Sequence, residues 1–129
     1  MEFETDMPRI LLVDDERLLL MLLADILEDE GFDVDMASNG DEALERARLC
    51  RPALIITDFM MPVMTGLDLA LSIRADGILQ EIPIILVSGA QAAIGRGHPD
   101  LFQSVLDKPY HKDMLVNEVR RLLAQSSRG

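Results

Sequence analysis

Three aspartates, a serine and a lysine stand at the ends of short apolar segments of the sequence. Asp14 and Asp15 directly follow the first of these segments, and Asp58 directly follows the third. Ser88 follows the fourth segment, and Lys108 lies two residues beyond the fifth. Carboxylates that lie close together raise each other's pKa values unless a cation neutralises them. A hard divalent ion held by oxygen ligands, with waters kept for a phosphate, would satisfy such a group. This describes Mg²⁺, with Mn²⁺ as an alternative.

Each of these residues also has a structural explanation when it is taken alone. An Asp at the end of a strand is commonly a turn or helix-capping residue. Ser88 beside Gly89 could simply form a turn, and Lys108 could be a solvated surface charge. The conjunction favours a chemical role, because four separate segment ends carry groups that suit a metal or a phosphate.

The elements that must position these residues follow from the order of the patterns. Short apolar segments predict strands, and longer segments of helical period predict helices. The predicted strands are 9–13, 32–37, 53–57, 82–87 and 103–106, and the predicted helices are 16–30, 41–50, 66–75 and 111–125. Apolar strands that alternate with helices indicate a doubly wound α/β fold, with a parallel sheet covered on both faces. Ligands of such folds bind beyond the carboxyl ends of the strands, where the candidate residues lie.

Glycine and proline refine this pattern in two places. Gly31 is well placed to end the first helix. Residues 91–101 contain Gly95, Gly97 and Pro99, which are unfavourable inside a helix. We therefore expect one or two irregular, mobile turns between the fourth and fifth strands.

Composition limits the class of protein. The chain has 129 residues, 49% of them hydrophobic, so we expect one domain with a real core at 9–125, between flexible tails at 1–8 and 126–129. With 12 Lys and Arg against 23 Asp and Glu, the net charge of −11 argues against nucleic acid and anionic membranes as partners. The lone Cys50 allows no intramolecular disulfide, and neither a secretory signal nor a membrane-spanning stretch is evident. A cytoplasmic protein is expected.

The candidate residues occur in the order Asp14-Asp15, Asp58-Phe-Met-Met-Pro62-Val-Met-Thr-Gly66, Ser88-Gly89 and Lys108-Pro109. In this order and spacing the chain resembles the CheY-like receiver domains of two-component response regulators, from about Arg9 to Leu123. The resemblance implies a flavodoxin-like (β/α)5 fold, with a five-stranded parallel sheet of strand order 2-1-3-4-5. It also suggests a cis peptide bond between Lys108 and Pro109.

The resemblance assigns roles to the acidic residues. Asp58 would be the phosphoacceptor, its carboxylate attacking a phosphoryl group. Asp15 and Asp58 would bind Mg²⁺ directly, together with the backbone carbonyl of Met60. Asp14 would act through water or by positioning Asp15.

The resemblance also implies what the whole chain does. Lys108 and the metal would neutralise charge during transfer, and Ser88 would then hydrogen-bond a phosphoryl oxygen. The chain would be a single-domain response regulator, a phosphoacceptor signalling domain rather than an enzyme. It would take its phosphoryl group from a phosphohistidine on a histidine kinase or a histidine phosphotransfer protein. It would then present an altered surface to a downstream protein target, as a monomer or weak dimer.

Other functions stay open at this point. Within the family, the chain could be a phosphorelay intermediate or the receiver part of a hybrid histidine kinase, although the natural-looking start at Met1 favours a separate protein. A Mg²⁺-dependent phosphatase with an Asp nucleophile would usually carry a second Asp where this chain has Met60. A flavin-binding relative of flavodoxin would need a Ser/Thr/Gly-rich phosphate loop after the first strand, which the sequence lacks.

Three positions depart from the family's pattern. Val105 stands where many receivers carry an aromatic residue coupled to Ser88, so we expect a switch that reorders or repacks residues 89–101. Met60 and Ala90 stand where fast-hydrolysing relatives carry polar side chains that orient water. We therefore expect slow self-dephosphorylation.

The first predicted helix carries more apolar residues than one core face needs. At about 100° per residue, Leu18 and Leu22 fall outside that face, among charged residues. Exposed apolar residues beside a site suggest an interface. In this family the first helix docks on the four-helix dimerisation domain of a kinase or on a phosphotransfer protein, so Leu18 and Leu22 are the candidate contacts. Alternatively, a wide apolar stripe packs against the last helix.

Overall fold

The computed structural model describes residues 8–128, in which five strands alternate with five helices. They are β1 (Arg9–Val13), α1 (Arg17–Asp29), β2 (Asp33–Ala37), α2 (Gly40–Cys50), β3 (Leu54–Asp58), α3 (Gly66–Ala75), β4 (Ile84–Ser88), α4 (Ala92–Arg96), β5 (Ser104–Asp107) and α5 (Lys112–Arg128). The strands form one parallel sheet in the order β2-β1-β3-β4-β5. This confirms the predicted α/β fold and its strand order.

Both faces of the sheet are covered by helices. Successive side chains of a strand point to opposite faces, so Ile10 and Leu12 of β1 pack with α1 and α5, whereas Leu11 and Val13 pack with α2 and α3. The three central strands β1, β3 and β4 are buried almost throughout, which explains why their sequences are apolar without alternation. Polar groups therefore stand at the ends of these strands.

Short-range hydrogen bonds fix the helix ends near the carboxyl edge of the sheet. The Asn39 side chain accepts from the Glu42 N–H at the start of α2, and Thr65 and Asp68 form a reciprocal capping box at the start of α3. Gly31 follows α1 with a φ of +96°, a conformation that favours glycine. Its predicted place at the end of α1 is confirmed.

The connection between β4 and β5 is the least regular part of the fold. Its helix α4 has five residues, in agreement with the one or two turns predicted there, while their mobility stays a prediction. Gly95 brings α4 close to the sheet, because a Cβ on it would stand 2.4 Å from Leu86 Cδ2 and 3.2 Å from Val105 Cγ2. A side chain at this position would push α4 away.

Some boundaries differ from the prediction. Helix α5 continues to Arg128, three residues beyond the predicted end at Gln125, because no Gly or Pro stops it before Gly129. Of the predicted N-terminal tail, only Pro8 belongs to the described residues, and 1–7 and Gly129 lie outside them. No helix within residues 8–128 has the length and apolar character needed to cross a membrane.

Candidate functional site

Two adjacent strands carry the acidic residues to one place. Strands β1 and β3 are neighbours with Val13 opposite Thr57, so Asp14 and Asp58, which come next, emerge side by side. Oxygen atoms from their carboxylates and from that of Asp15 all lie within 4.8 Å of one another. The structure therefore brings together the three carboxylates that the sequence placed at one rim.

The three carboxylates differ in their contact with solvent. Asp14 is only 5% exposed, Asp58 is half-buried and Asp15 is exposed. Burial raises the pKa of Asp14 to about 6, although the Glu16 N–H, which donates to Asp14 Oδ1 over 2.9 Å, works in the opposite direction. The charge of Asp58 raises this pKa further and that of Lys108 lowers it. Asp14 is therefore half protonated at about pH 6.

Lys108 supplies a positive charge to this cluster. Its Nζ donates to Asp58 Oδ1 over 3.0 Å. The backbone of Lys108 is held by a hydrogen bond, because its N–H donates to the Ser88 carbonyl over 2.9 Å. The peptide bond between Lys108 and Pro109 is cis, as the resemblance suggested. The neighbouring Tyr110 is half-buried, and burial followed by the nearby carboxylates raises the pKa of its phenol. Tyr110 is therefore uncharged at neutral pH.

Ser88 ends β4 beside the acidic cluster. Val87 lies opposite Asp58 in the sheet, so Ser88 is one residue past the level of that carboxylate. Its side chain is 1% exposed, and no protein group within residues 8–128 hydrogen-bonds its Oγ. A buried hydroxyl without a partner is costly. Such a hydroxyl is well suited to bind an oxygen of a ligand.

Three successive carbonyl groups leave the end of β3. That of Asp58 accepts from Thr57 Oγ1 over 2.9 Å, and that of Phe59 accepts from the Gly66 N–H over 2.8 Å. The Met60 carbonyl accepts no hydrogen bond from residues 8–128, and its side chain is 58% exposed. Of these three carbonyls, that of Met60 is therefore the one that remains available to a ligand.

Thr57 was not identified as a site residue from the sequence. The one available signal was a hydroxyl at the end of the apolar segment Ala53–Thr57, which is unusual for a strand buried on both faces. A polar residue at this place can either simply end the strand or bind the loop that follows. Only the positions of the loop carbonyls distinguish these two roles.

The arrangement has more negative than positive groups at its centre. Three carboxylates converge and Lys108 provides one ammonium group, so a cation with oxygen ligands would relieve their repulsion. An oxygen-only set of this kind matches the ligands that Mg²⁺ prefers. The carboxylates are thus consistent with a magnesium site.

The apolar residues predicted on α1 lie at the surface. Leu18 is 83% exposed and Leu22 is 57% exposed, so they do not pack against α5. Leu22 lines an open groove of about 490 Å³ between α1 and the segment after β5, and Lys108 and Tyr110 line the same groove. An exposed apolar surface therefore adjoins the acidic cluster.

Comparisons with known sequences agree with this geometry. Residues 10–120 match the family model described as the response regulator receiver domain. The chain is 36% identical over 120 residues to response regulator Rre1 of Synechocystis, covering 90% of this chain and 52% of that protein. It is 33% identical over 122 residues to the phosphate regulon transcriptional regulatory protein PhoB of Rhizobium meliloti, covering 93% and 54%. The chain thus spans about half the length of the curated relatives it matches.

Solved structures give the same result. The chemotaxis response regulator CheY4 of Vibrio cholerae is similar with a TM-score of 0.82 and 28% identity, covering 91% of this chain and 99% of that one. The signal receiver domain of a histidine kinase from Syntrophus aciditrophicus is similar with a TM-score of 0.87 and 31% identity, covering 95% and 94%. Together with the acidic pocket, these likenesses show that the chain belongs to the response regulator receiver domain family, whose members are phosphoacceptor signalling modules that interact with histidine kinases.

Proposed function

We propose that this chain is a single-domain response regulator that accepts a phosphoryl group on Asp58 and thereby switches a protein-interaction surface. One observation carries the proposal: the Asp58 carboxylate accepts a hydrogen bond from the Lys108 ammonium over 3.0 Å, and its oxygens lie within 4.8 Å of those of Asp14 and Asp15. Asp58 is thus a candidate nucleophile that contacts a positive group and belongs to a cluster able to bind a metal.

Mg²⁺ is the proposed cofactor, with Mn²⁺ as an alternative. Asp15, Asp58 and the Met60 carbonyl would hold it directly, and the buried Asp14 would act through water. When bound, the metal supplies positive charge that offsets the negative charge of the transferred group. Because the pKa of Asp14 is raised, a proton on this carboxylate would compete with the metal for the same cluster.

The proposed reaction is a direct transfer. A carboxylate oxygen of Asp58 attacks phosphorus, the new O–P bond forms as the N–P bond to the donor imidazole breaks, and the electron pair of that bond stays on the imidazole nitrogen. The Lys108 ammonium, already hydrogen-bonded to Asp58 Oδ1, neutralises charge that develops on the phosphoryl oxygens. The unpartnered Ser88 hydroxyl then donates to one of these oxygens.

We place the switch in α4 and the residues before it. Ser88 directly precedes this segment. When the Ser88 hydroxyl moves toward a phosphoryl oxygen, the residues that follow it are therefore pulled in the same direction. An ion pair between Arg96 and Asp107, with 2.5 Å between N and O, holds α4 to β5. Both side chains are at least half exposed, and exposed pairs of this kind contribute about 0–1 kcal/mol. Val105 offers no ring to rotate, so repacking of residues 89–101 is the proposed readout.

The groove beside α1 is the proposed site for the phosphodonor. Its occupant would be a helical surface of a histidine kinase or phosphotransfer protein that carries the phosphohistidine, because that residue must reach Asp58. Leu22 and Lys108 both line the groove, so a partner seated on the apolar part is held next to the reacting carboxylate. Leu18 extends the same apolar surface along α1.

We propose a separate receiver, whose net charge of −11 does not suit DNA as a partner. A phosphorelay intermediate and the receiver of a hybrid kinase are the alternatives, and the likeness to a receiver of a histidine kinase favours the latter. A Mg²⁺-dependent phosphatase is less suitable, because Met60 stands where it would need a second Asp. A cytoplasmic location is proposed.

Phosphoryl transfer to Asp58 is tested directly by Asp58→Asn. With Mg²⁺ and acetyl phosphate, the wild-type protein is expected to gain one phosphoryl group by intact-mass spectrometry, and the variant none, because the amide is a far weaker nucleophile. Asp41→Asn, which changes an exposed carboxylate of α2, is the control and should behave as wild type. Equal phosphorylation of the Asp58 variant would overturn the assignment.

Slow hydrolysis is tested by Met60→Asn. The Met60 side chain is exposed but cannot hydrogen-bond water strongly, whereas Asn can orient the attacking water, so loss of the phosphoryl group should accelerate roughly tenfold or more. The measurement is the decay of the phosphorylated mass after removal of the donor. Met114→Asn, on the exposed face of α5, is the matched control. Loss within seconds from the wild-type protein would contradict the prediction.

The raised pKa of Asp14 predicts how stability depends on pH without metal. The folded protein holds this proton to about pH 6, whereas the ordinary pKa is 3.8, so the group's contribution to stability falls between these values by up to about 3 kcal/mol. Asp14→Asn keeps the acceptor for the Glu16 N–H but cannot ionise. In EDTA, its stability advantage over wild type in urea unfolding should grow from pH 4 to pH 6 and then level off. Asp41→Asn, which changes an exposed carboxylate of α2, is the control, and a difference between Asp14→Asn and wild type that is independent of pH would refute the prediction.

The docking surface is tested by Leu22→Asp. Phosphotransfer from the cognate kinase, identified by profiling the kinases of the source organism, should fall about tenfold or more, because a charge replaces an apolar contact. Phosphorylation by acetyl phosphate should be unchanged, since that donor needs no docking surface. Leu49→Asp, at an equally apolar and 74% exposed position on α2, is the matched control. A folded Leu22 variant that the kinase phosphorylates at the wild-type rate would exclude this surface.

A further inference from the structure

Thr57 buries a hydroxyl group in an otherwise apolar layer. Its side chain is 0% exposed, and in the sheet it lies between Val13 of β1 and Leu86 of β4. Both neighbours belong to the core that packs with α2 and α3. A hydroxyl in such a layer costs stability unless it is hydrogen-bonded, and valine would fill nearly the same volume. The presence of the hydroxyl therefore requires an explanation.

The hydroxyl binds the loop that leaves the strand. Thr57 Oγ1 donates to the carbonyl of Asp58 over 2.9 Å, and the sulfur of the buried Met61 is 4.0 Å away. The same carbonyl is approached from the start of α3, where a Cβ on Gly66 would stand 2.5 Å from the oxygen. The Asp58 carbonyl is thus held by the hydroxyl and confined by α3.

Two successive peptide planes are fixed in this way. The Asp58 carbonyl binds the Thr57 hydroxyl and the Phe59 carbonyl binds the Gly66 N–H, so neither plane can rotate without losing a hydrogen bond. The next carbonyl, that of Met60, accepts no hydrogen bond within residues 8–128. Because each peptide plane is joined to the next through one Cα, fixing the first two limits the directions available to the third.

We infer that Thr57 is a positioning residue for the metal site: its hydroxyl fixes the Asp58 peptide and so directs the Met60 carbonyl to Mg²⁺. This inference rests on the proposed function, in which the Met60 carbonyl is a metal ligand. Groups that orient metal ligands without touching the metal commonly change affinity by about 10–100-fold when they are removed. The hydroxyl acts on the backbone, so a loss should appear in metal affinity as well as in phosphorylation.

A simple packing role for Thr57 predicts something different. If its methyl group only fills space, then loss of the methyl should matter and loss of the oxygen should not. Thr57→Ser and Thr57→Ala both lack the methyl and differ from each other by one oxygen atom. Comparison of these two variants therefore isolates the hydroxyl, and Thr57→Val adds a variant with the original volume and no hydroxyl.

The experiment is a Mg²⁺ titration of the whole chain by isothermal titration calorimetry, in metal-free buffer, with urea unfolding of each variant as a check on folding. We expect the Ser variant to bind Mg²⁺ within about twofold of wild type and the Ala variant about tenfold or more weakly than the Ser variant. The Mg²⁺-induced shift of the Met61 amide nitrogen, which belongs to the Met60 peptide, should shrink in the Ala variant at the same metal concentration. The Val variant should bind as weakly as the Ala variant.

The controls separate this inference from the proposed metal site. Asp15→Asn should abolish Mg²⁺ binding, and if it binds as wild type the metal site is wrong and the inference falls with it. If the Asp15 variant loses binding while the Ser and Ala variants bind equally, the inference alone is overturned. Gly66→Ala, which presses on the same carbonyl, should weaken Mg²⁺ binding, whereas Gly77→Ala, with nothing within 4 Å of the added Cβ, should not.

Discussion

The mutual repulsion of three carboxylates is the constraint around which this molecule is organised. Their oxygens lie within 4.8 Å of one another, and the ammonium group of Lys108 touches one of them. At such distances two like charges repel by about 1 kcal/mol in water and by more in a partly buried site. Burial is the main cause that raises the pKa of Asp14 to about 6, and the charges of Asp58 and Asp15 add to this effect. In the proposed function, metal, proton and phosphoryl group would therefore bind to the same few oxygen atoms.

Carboxylates that repel one another stay close together only if the strands that carry them cannot move apart. The strands that carry Asp14 and Asp58 lie in the middle of the sheet, and the rows of apolar side chains above and below them are almost completely buried. Close-packed interiors yield little to local forces, so the carboxylates cannot separate by moving the strands. Parallel strands also place all their carboxyl ends at one edge. The fold therefore concentrates acidic groups where packing is strongest, although each strand contributes only one or two of them.

The strands, the acidic cluster and the exposed residues of α1 could be predicted from the sequence. Each is marked either by a periodic pattern of apolar residues or by the residue that ends an apolar segment. Apolar segments ended by Asp predicted both the strands and the acidic cluster, and the helical period correctly placed Leu18 and Leu22 outside the core face of α1. Contacts with backbone carbonyl groups produce no such pattern in the amino-acid sequence. The close approach of Gly66 to the Asp58 carbonyl and the hydrogen bond from Thr57 depend on where a loop of seven residues closes, which residue types alone do not specify. The end of α5 was also missed, because Ser126 and Ser127 neither favour nor stop a helix strongly.

Arg74 shows why a change at the phosphoryl site would spread in one direction. This half-buried guanidinium of α3 donates to the carbonyls of Ile82 and Leu101 and to the Gln103 side chain, so it ties the far end of the α4 segment to the beginnings of β4 and β5. Closer to Ser88, α4 is held by the ion pair between Arg96, its last residue, and Asp107, and this pair is solvent-exposed. Part-buried hydrogen bonds to a charged group, such as those to the Ile82 and Leu101 carbonyls, contribute up to about 1.5–3 kcal/mol each, and exposed ion pairs contribute about 0–1 kcal/mol. In the proposed switch, a pull from Ser88 would therefore displace α4 more readily than the residues that Arg74 holds.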